Sequence, residues 1–447
     1  MLYSIQGKMK KISLKIINLA FGILLLLSTI ISATPSIQTN QESVISSKNN
    51  HFDLINIDPK IETILETIDE NLLRGYLETL VGYAPRYTGT FGCVKSAEYI
   101  YQQFEEMGLD TRYQNWTAFG NRHHPHIFNS QNVEGKKLGT NSDKIVIFNA
   151  HYDAVRNTPG ADDNGGGTAA VLAAAYALSQ FSFQHTIKFV TFSGEEMGLL
   201  GSHAYAKECY ENNDNIIVDL NADMIAYTET PEGGKKFRMY GTPDVEWIMD
   251  SIEIINTDYG IDFDFIRDTL NEEAERGGSD YFSFIEYGYE AVAFFEAEWN
   301  QHMHSPEDNL DNINFSYLVN TTRLIAATMA YLADLDIPNP QVRIESPKQG
   351  KLYYEGLEKR EIADLKTIVI DDIWIWADDI PGDASIVSAE FYYDDILEYI
   401  DTEPPFKWHF NKLSVRKHKV TVIVYDEIGR TASAFKYIRF INIFKNR

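Results

Sequence analysis

The chain has 447 residues, 44% of them apolar and 23% charged, which is enough for a large core and more than one domain. Its formal charge of −26, from 65 acidic and 39 basic residues, argues against nucleic acid and anionic membrane surfaces as partners. The two cysteines, Cys93 and Cys209, have no ligand-like spacing, so any metal must be held by histidine and carboxylate.

At the amino end Lys8, Lys10, Lys11 and Lys15 precede the apolar run Ile16 to Ala33, which ends in a small residue suited to cleavage. Residues 1–33 read as a signal peptide or membrane anchor. The bulk of the protein is then extracellular, secreted or anchored to the outer face of the membrane, and an uncleaved anchor is its only membrane contact. Residues 34–50 are polar and read as a linker.

From 51 to 336 helix and strand patterns alternate. "KSAEYIYQQFEEMG" places Ala97, Ile100, Tyr101, Phe104 and Met107 on one helical face, with Gly108 as the stop. There follow an apolar strand at Ile145–Phe148, a helix at Thr168–Phe181, a strand at Thr186–Ser193, a helix near Leu199–Cys209 and the strand "NIIVDLNADMI". "EAVAFFEAE" and a long closing helix, "FSYLVNTTRLIAATMAYLADL", complete the series. Near-continuous apolar strands separated by helices predict an α/β fold, a doubly wound, mostly parallel sheet covered on both faces. Pro338-Asn339-Pro340 breaks the rhythm, and residues 339–447 read as short alternating strands of a β-sandwich without a convergent polar cluster.

The acidic residues gather just after apolar strands, at the carboxyl ends where open α/β sheets bind ligands. "NAHYDAVRNTPGADDNGGG" brings His151, Asp153, Asp162 and Asp163; "FSGEEMG" brings Glu195 and Glu196; "NADMI" brings Asp223; "HMHSPEDN" brings His302, His304 and Asp308. So many carboxylates at one edge repel unless a cation sits among them. Histidine and carboxylate suit zinc, and two neighbouring zincs need a shared carboxylate. Two adjacent glutamates make sense as one ligand and one proton acceptor.

"AHYDAV", "PGADDNGGGTAAVL", "FSGEEMGLLGSHAYA", "NADMIAY" and "HSPEDNL" together resemble the co-catalytic di-zinc aminopeptidases, the M28 peptidases, over about residues 80–335. The resemblance implies a zinc-exopeptidase-like fold and two Zn2+ ions. It assigns His151 and Asp223 to one ion, Glu196 and His304 to the other, and Asp162 as the bridge. It makes Glu195 the general base and Asp153 the residue that orients His151, and it implies a cis peptide between Asp162 and Asp163. Asp163 is left open between helix cap, turn support and metal contact, and Asp308 between a supporting partner and a cap of the closing helix. Tyr281 stands where many relatives carry histidine. The carboxy-terminal part resembles the immunoglobulin-like domains appended to secreted hydrolases.

The expected activity is zinc-dependent removal of N-terminal amino acids from peptide or protein substrates. Carboxypeptidase action stays open through Arg156, Arg267 and Arg276, the basic residues near the motifs. A single-zinc glutaminyl cyclase on the same fold, and a non-catalytic adhesion protein, are the remaining alternatives.

Overall fold

A computed structural model describes residues 57–140, 144–241, 245–269, 278–335, 341–362, 366–380, 384–427 and 429–442. The leader, the linker, Arg276 and the Pro338-Asn339-Pro340 break lie outside them.

Helices α1 (Pro59–Thr67), α2 (Glu70–Gly82) and α3 (Phe91–Glu106) open the described chain, each capped by the side chain before it: Asp58, Asp69 and Thr90. These oxygens satisfy amides that the first helical turn leaves without partners. Strands β1 (Asp110–Phe119) and β2 (Ile127–Lys137) form an antiparallel pair, and β2 runs antiparallel to β4. The centre is built from β3 (Lys144–His151), helix α4 (Gly167–Ser179), β4 (Thr186–Phe192), helix α5 (Leu200–Asn212) and β5 (Asn215–Ala222). Beyond them come β6 (Lys236–Gly241), α6 (Glu246–Asp258), β7 (Asp264–Thr269), α7 (Tyr281–Glu286), β8 (Ala291–Glu296) and α8 (Phe315–Asp334).

The eight strands take the order β1-β2-β4-β3-β5-β8-β6-β7. Its centre, β4-β3-β5-β8, is parallel throughout. Antiparallel neighbours occur at β1–β2, β2–β4 and β6–β8. One face packs against α1–α4, α6 and α8, the other against α5 and α7. All seven residues of β4 are buried, which explains its largely apolar pattern, and the one charge, Lys188, is paired with Asp214. In α4 only Tyr176 is exposed; alanine on nearly every side lets this helix lie inside the core against α2, α3 and α8.

The carboxy-terminal strands are β9 (Gln341–Ser346), β10 (Lys351–Tyr354), β11 (Leu357–Glu361), β12 (Thr367–Ile370), β13 (Ile373–Ile380), β14 (Ile386–Tyr393), β15 (Ile396–Asp401), β16 (Lys407–Phe410), β17 (Lys417–Asp426) and β18 (Thr431–Ile441). They form a seven-stranded sheet, β11-β10-β12-β18-β17-β14-β15, and a three-stranded one, β16-β13-β9. Phe391, Val422 and Phe440 of the larger sheet share a core with Ile344, Ile375 and Phe410 of the smaller. The sandwich pattern of the sequence matches this all-β packing. The immunoglobulin likeness goes further than the strands do: β10–β12 and β12–β18 are parallel pairs, and the seven-and-three partition differs from that of an immunoglobulin domain. Lys207 of α5 pairs with Glu361 at 2.5 Å and links the two regions.

Candidate metal centre

His151 is the last residue of β3, and its ring is buried. Its Nδ1 lies 3.1 Å from the carbonyl oxygen of Asp153 and 3.7 Å from the Asp153 carboxylate. Donation from Nδ1 to that carbonyl fixes the tautomer and leaves the Nε2 lone pair pointing into the site. Orientation thus comes first from the Asp153 backbone. The Asp153 carboxylate is occupied elsewhere, accepting from Thr88 Oγ1 at 2.8 Å and from the amide of Glu195 at 3.2 Å.

Nε2 of His151 faces Oδ1 of Asp163 and Oδ1 of Asp223, both at 3.4 Å. Nε2 of His304 faces Oδ2 of Asp163 at 3.0 Å and Oε2 of Glu196 at 3.3 Å. Two groups of three result, His151–Asp163–Asp223 and Asp163–Glu196–His304, each with its ligand atoms within 4.8 Å of one another. Asp163 belongs to both. Glu195 points to the same place, its Oε2 4.0 Å from His151 Nε2.

The structure therefore corrects the shared carboxylate by one residue. Asp162 faces away: its Oδ1 accepts from the Ala226 amide at 3.0 Å and its Oδ2 from Asn300 Nδ2 at 2.7 Å. The cis peptide likewise lies between Asp163 and Asn164, not between Asp162 and Asp163. Capping of α4 falls to Asn164, whose Oδ1 accepts from the Gly167 amide at 3.0 Å while its Nδ2 reaches the Ala222 carbonyl at 2.8 Å. A side chain at Gly167 would meet Asn164 Oδ1 at 2.3 Å and the Ala222 carbonyl at 2.6 Å, so this tight turn requires glycine there.

Asp308 settles into the supporting role. Its two carboxylate oxygens accept from the amides of Asp162 at 2.8 Å and Asp163 at 3.2 Å, while α8 is capped by Asn314. His304, rather than His302, reaches the acidic groups; His302 stands edge-on to Tyr227. Tyr281 is buried and borders the adjoining cleft. His124 meets the Tyr87 hydroxyl at 3.2 Å, away from both groups.

One contributor left no trace in any motif. Arg86 is fully buried and donates to the carbonyls of Tyr152 at 2.9 Å, Pro159 at 2.6 Å and Gly160 at 2.7 Å. It clamps the start and the middle of the loop that carries Asp163. No neighbouring pattern in "YAPRYTGT" separates it from an ordinary surface arginine.

The charges demand a cation. Burial opposes a charge on His151, yet Asp223, Glu195 and Asp163 outweigh it and push its pKa well up. His304 is raised to about 10 by hydrogen bonding to Asp163 and Glu196. Burial, joined by repulsion from Asp163, pushes Glu196 up to about 7. Burial also pushes Glu195 well up, with Glu196 and Asp223 adding to it. His151 Nε2, Glu196 Oε1 and Asp223 Oδ1 are buried without a hydrogen-bond partner. Buried polar atoms normally find partners, and two histidine nitrogens with three carboxylates form the donor set that zinc prefers. The residues fit a pair of zinc ions sharing Asp163.

Residues 132–329 match the model of Peptidase family M28. The chain is 26% identical over 325 residues to leucine aminopeptidase 1 of Sclerotinia sclerotiorum, covering 68% of this chain and 81% of that one. It shares its fold with the LapA aminopeptidase of Legionella pneumophila, with a TM-score of 0.54 at 17% identity over 69% of this chain and 81% of the other. It also shares it with the glutaminyl cyclase of Fimbriiglobus ruber, with a TM-score of 0.52 at 19% identity over 59% and 95%.

Proposed function

Because residues 132–329 belong to peptidase family M28, we propose that this protein is a di-zinc aminopeptidase that releases N-terminal amino acids from peptides. The observation that carries the reading is the pair of three-residue groups meeting at Asp163. His151 and Asp223 would hold one ion, Glu196 and His304 the other, with Asp163 between them. When bound, the ions supply an acidified water near neutral pH and polarise the scissile carbonyl.

Glu195 is the proton carrier. Its carboxylate borders the cleft beside His151, and its backbone amide is fixed by Asp153. It accepts the proton of the attacking water and delivers it to the leaving amine, the role of a positioned general base and acid.

The fold alone does not separate peptidase from cyclase, because both kinds of neighbour share it. Two complete ligand groups support the two-ion enzyme over the single-zinc cyclase. Two of the three basic residues that kept carboxypeptidase action open are engaged elsewhere: Arg267 is held by Asp250 and Glu253, and Arg156 stacks on Tyr87. The basic residues before the apolar run ending at Ala33 support export from the cytoplasm.

The deciding experiment is turnover of a panel of aminoacyl p-nitroanilides and N-blocked controls, with zinc counted per chain. We expect two zincs, activity on free amines only, and loss of both with chelator. One zinc with cyclisation of N-terminal glutamine would refute the reading.

A further inference from the structure

The acidic edge opens into a cleft of about 980 Å³. That volume lies at the upper end of small-molecule sites, about 300–1,000 Å³, and accommodates a short peptide. Besides the candidate ligands it is lined by the aromatic side chains of Tyr240, Phe282, Phe295 and Trp299, and by Arg238. Among the described residues lining this cleft, Arg238 is the only lysine or arginine, against the acidic Asp163, Glu195, Glu196, Asp223, Glu296 and Glu298.

Arg238 sits on β6, directly opposite Phe295 of β8, and Tyr240 follows two residues later on the same face. The sheet therefore holds its position. Its Nη1 donates to Asp268 at 2.6 Å, and its Nη2 reaches the Ala297 carbonyl only at 3.5 Å. A guanidinium has five donors in a planar fork, so most of this one is unspent. The Asp268 pair does not explain the residue. Asp268 is the more exposed partner, at 44% against 26%, and a solvated aspartate needs no arginine. A cleft this acidic would favour cationic substrates without an arginine in its wall. A largely unspent arginine fork in that wall is matched by an oxyanion, and the oxyanion that a peptide carries is a carboxylate.

We propose that Arg238 is a specificity-determining residue that binds a carboxylate of the substrate. The preferred substrates are then short peptides with an anionic group near the cleaved amino end. This rests on the exopeptidase reading above. Two sources supply the same chemistry: the side chain of an N-terminal acidic residue, or the free carboxyl end of a dipeptide.

The full chain with zinc is assayed on leucine p-nitroanilide, glutamate α-p-nitroanilide, Leu-Gly and Leu-Gly amide. The variants are Arg238→Gln, Arg238→Lys and Asp268→Asn. Arg238→Gln is expected to raise KM about tenfold, about 1.4 kcal/mol, on the carboxylate-bearing substrate alone. Leucine p-nitroanilide stays unchanged and shows that the variant is folded. Arg238→Lys restores part of the loss, and Asp268→Asn, which frees the fork, lowers KM for that same substrate. An effect on the glutamate substrate assigns the side chain; an effect on Leu-Gly and not on its amide assigns the carboxyl end. Equal shifts on charged and neutral substrates, or none, overturn the proposal. If the wild type cleaves nothing, the exopeptidase reading fails by itself. Calorimetric titration of Leu-Gly against its amide, and of glutamate amide against glutamine amide, then decides the point: an acid preference abolished in Arg238→Gln upholds it, and equal binding refutes it.

Discussion

The adjacent aspartates provide a sharp test, because their side chains do opposite work. Asp162→Asn keeps the acceptor for the Ala226 amide but turns a donor towards Asn300 Nδ2, which now donates to Asp162 at 2.7 Å. Asn300 is not free to turn over, since its Oδ1 accepts from the His302 amide at 2.8 Å. One strong hydrogen bond is lost and two donors face each other, a change of about 1–3 kcal/mol in stability. The lower half of that range is expected, because burial and the nearby Asp308 already push the Asp162 pKa up to about 8 and a neutral amide relieves that stress. Asp163→Asn removes the carboxylate whose oxygens lie 3.4 and 3.0 Å from the two histidine nitrogens. Neutralising a supporting residue of a metal site weakens binding about 10–100-fold, so losing the shared ligand should exceed about 100-fold. With chelator present, the same variant should be no less stable than the wild type, because one repelling charge is gone. The assay is zinc per chain after dialysis, alongside urea unfolding in the presence of chelator. Zinc loss in Asp162→Asn with full retention in Asp163→Asn would refute the placement of the bridge.

Three further outcomes are expected. Glu195→Gln should keep both zincs while turnover falls by at least about 10²–10⁴-fold, whereas Glu196→Gln should lose zinc first; dialysis and rate measurements together separate them. Arg86→Met should lower stability by about 3 kcal/mol or more, read by urea unfolding, because three buried carbonyls lose their donor at once. Lys436 is buried against the carbonyls of Ile344 and Pro347, and burial lowers its pKa to about 7. Between pH 7 and about 10.5 the unfolded chain holds a proton there that the folded chain lacks. Stability relative to Lys436→Met should therefore rise with pH across that window, by up to ~1.4 kcal/mol per unit, and a flat difference would show that the ammonium stays charged inside.

The strands at the centre of the sheet were legible because both their faces are covered, which leaves near-continuous apolar runs such as "IVIF" in β3. Strands β1 and β2 were not, since "DTRYQNWTAF" and "IFNSQNVEGKK" mix polar and apolar residues and derive their strand character from pairing. "KTIVIDDIWIW" forms two strands, Thr367–Ile370 and the start of Ile373–Ile380, turned at Asp371, whose φ is 78°. At the site, residue types and order pointed to the right edge of the sheet, and the single-residue error at Asp162 and Asp163 has a clear cause. Two aspartates in a loop carry no periodicity to say which faces inward. The decision belongs to partners distant in sequence, namely Ala226, Asn300 and Asp308. Arg86 and Arg238 escaped notice for the same reason: each is defined by carbonyls or a cleft wall that only folding assembles.

The grip of Asp308 on the amides of Asp162 and Asp163 ties the loop to a segment 146 and 145 residues further along the chain. His304 lies in that same late segment. A chain growing from its amino end therefore exposes His151, both glutamates and Asp223 long before the last ligand and the carboxylate that sets the loop. A half-made chain lacks His304 and so one of the two three-residue groups that meet at Asp163. Cleaving power is thereby withheld until the late segment that carries His304 and Asp308 has been made.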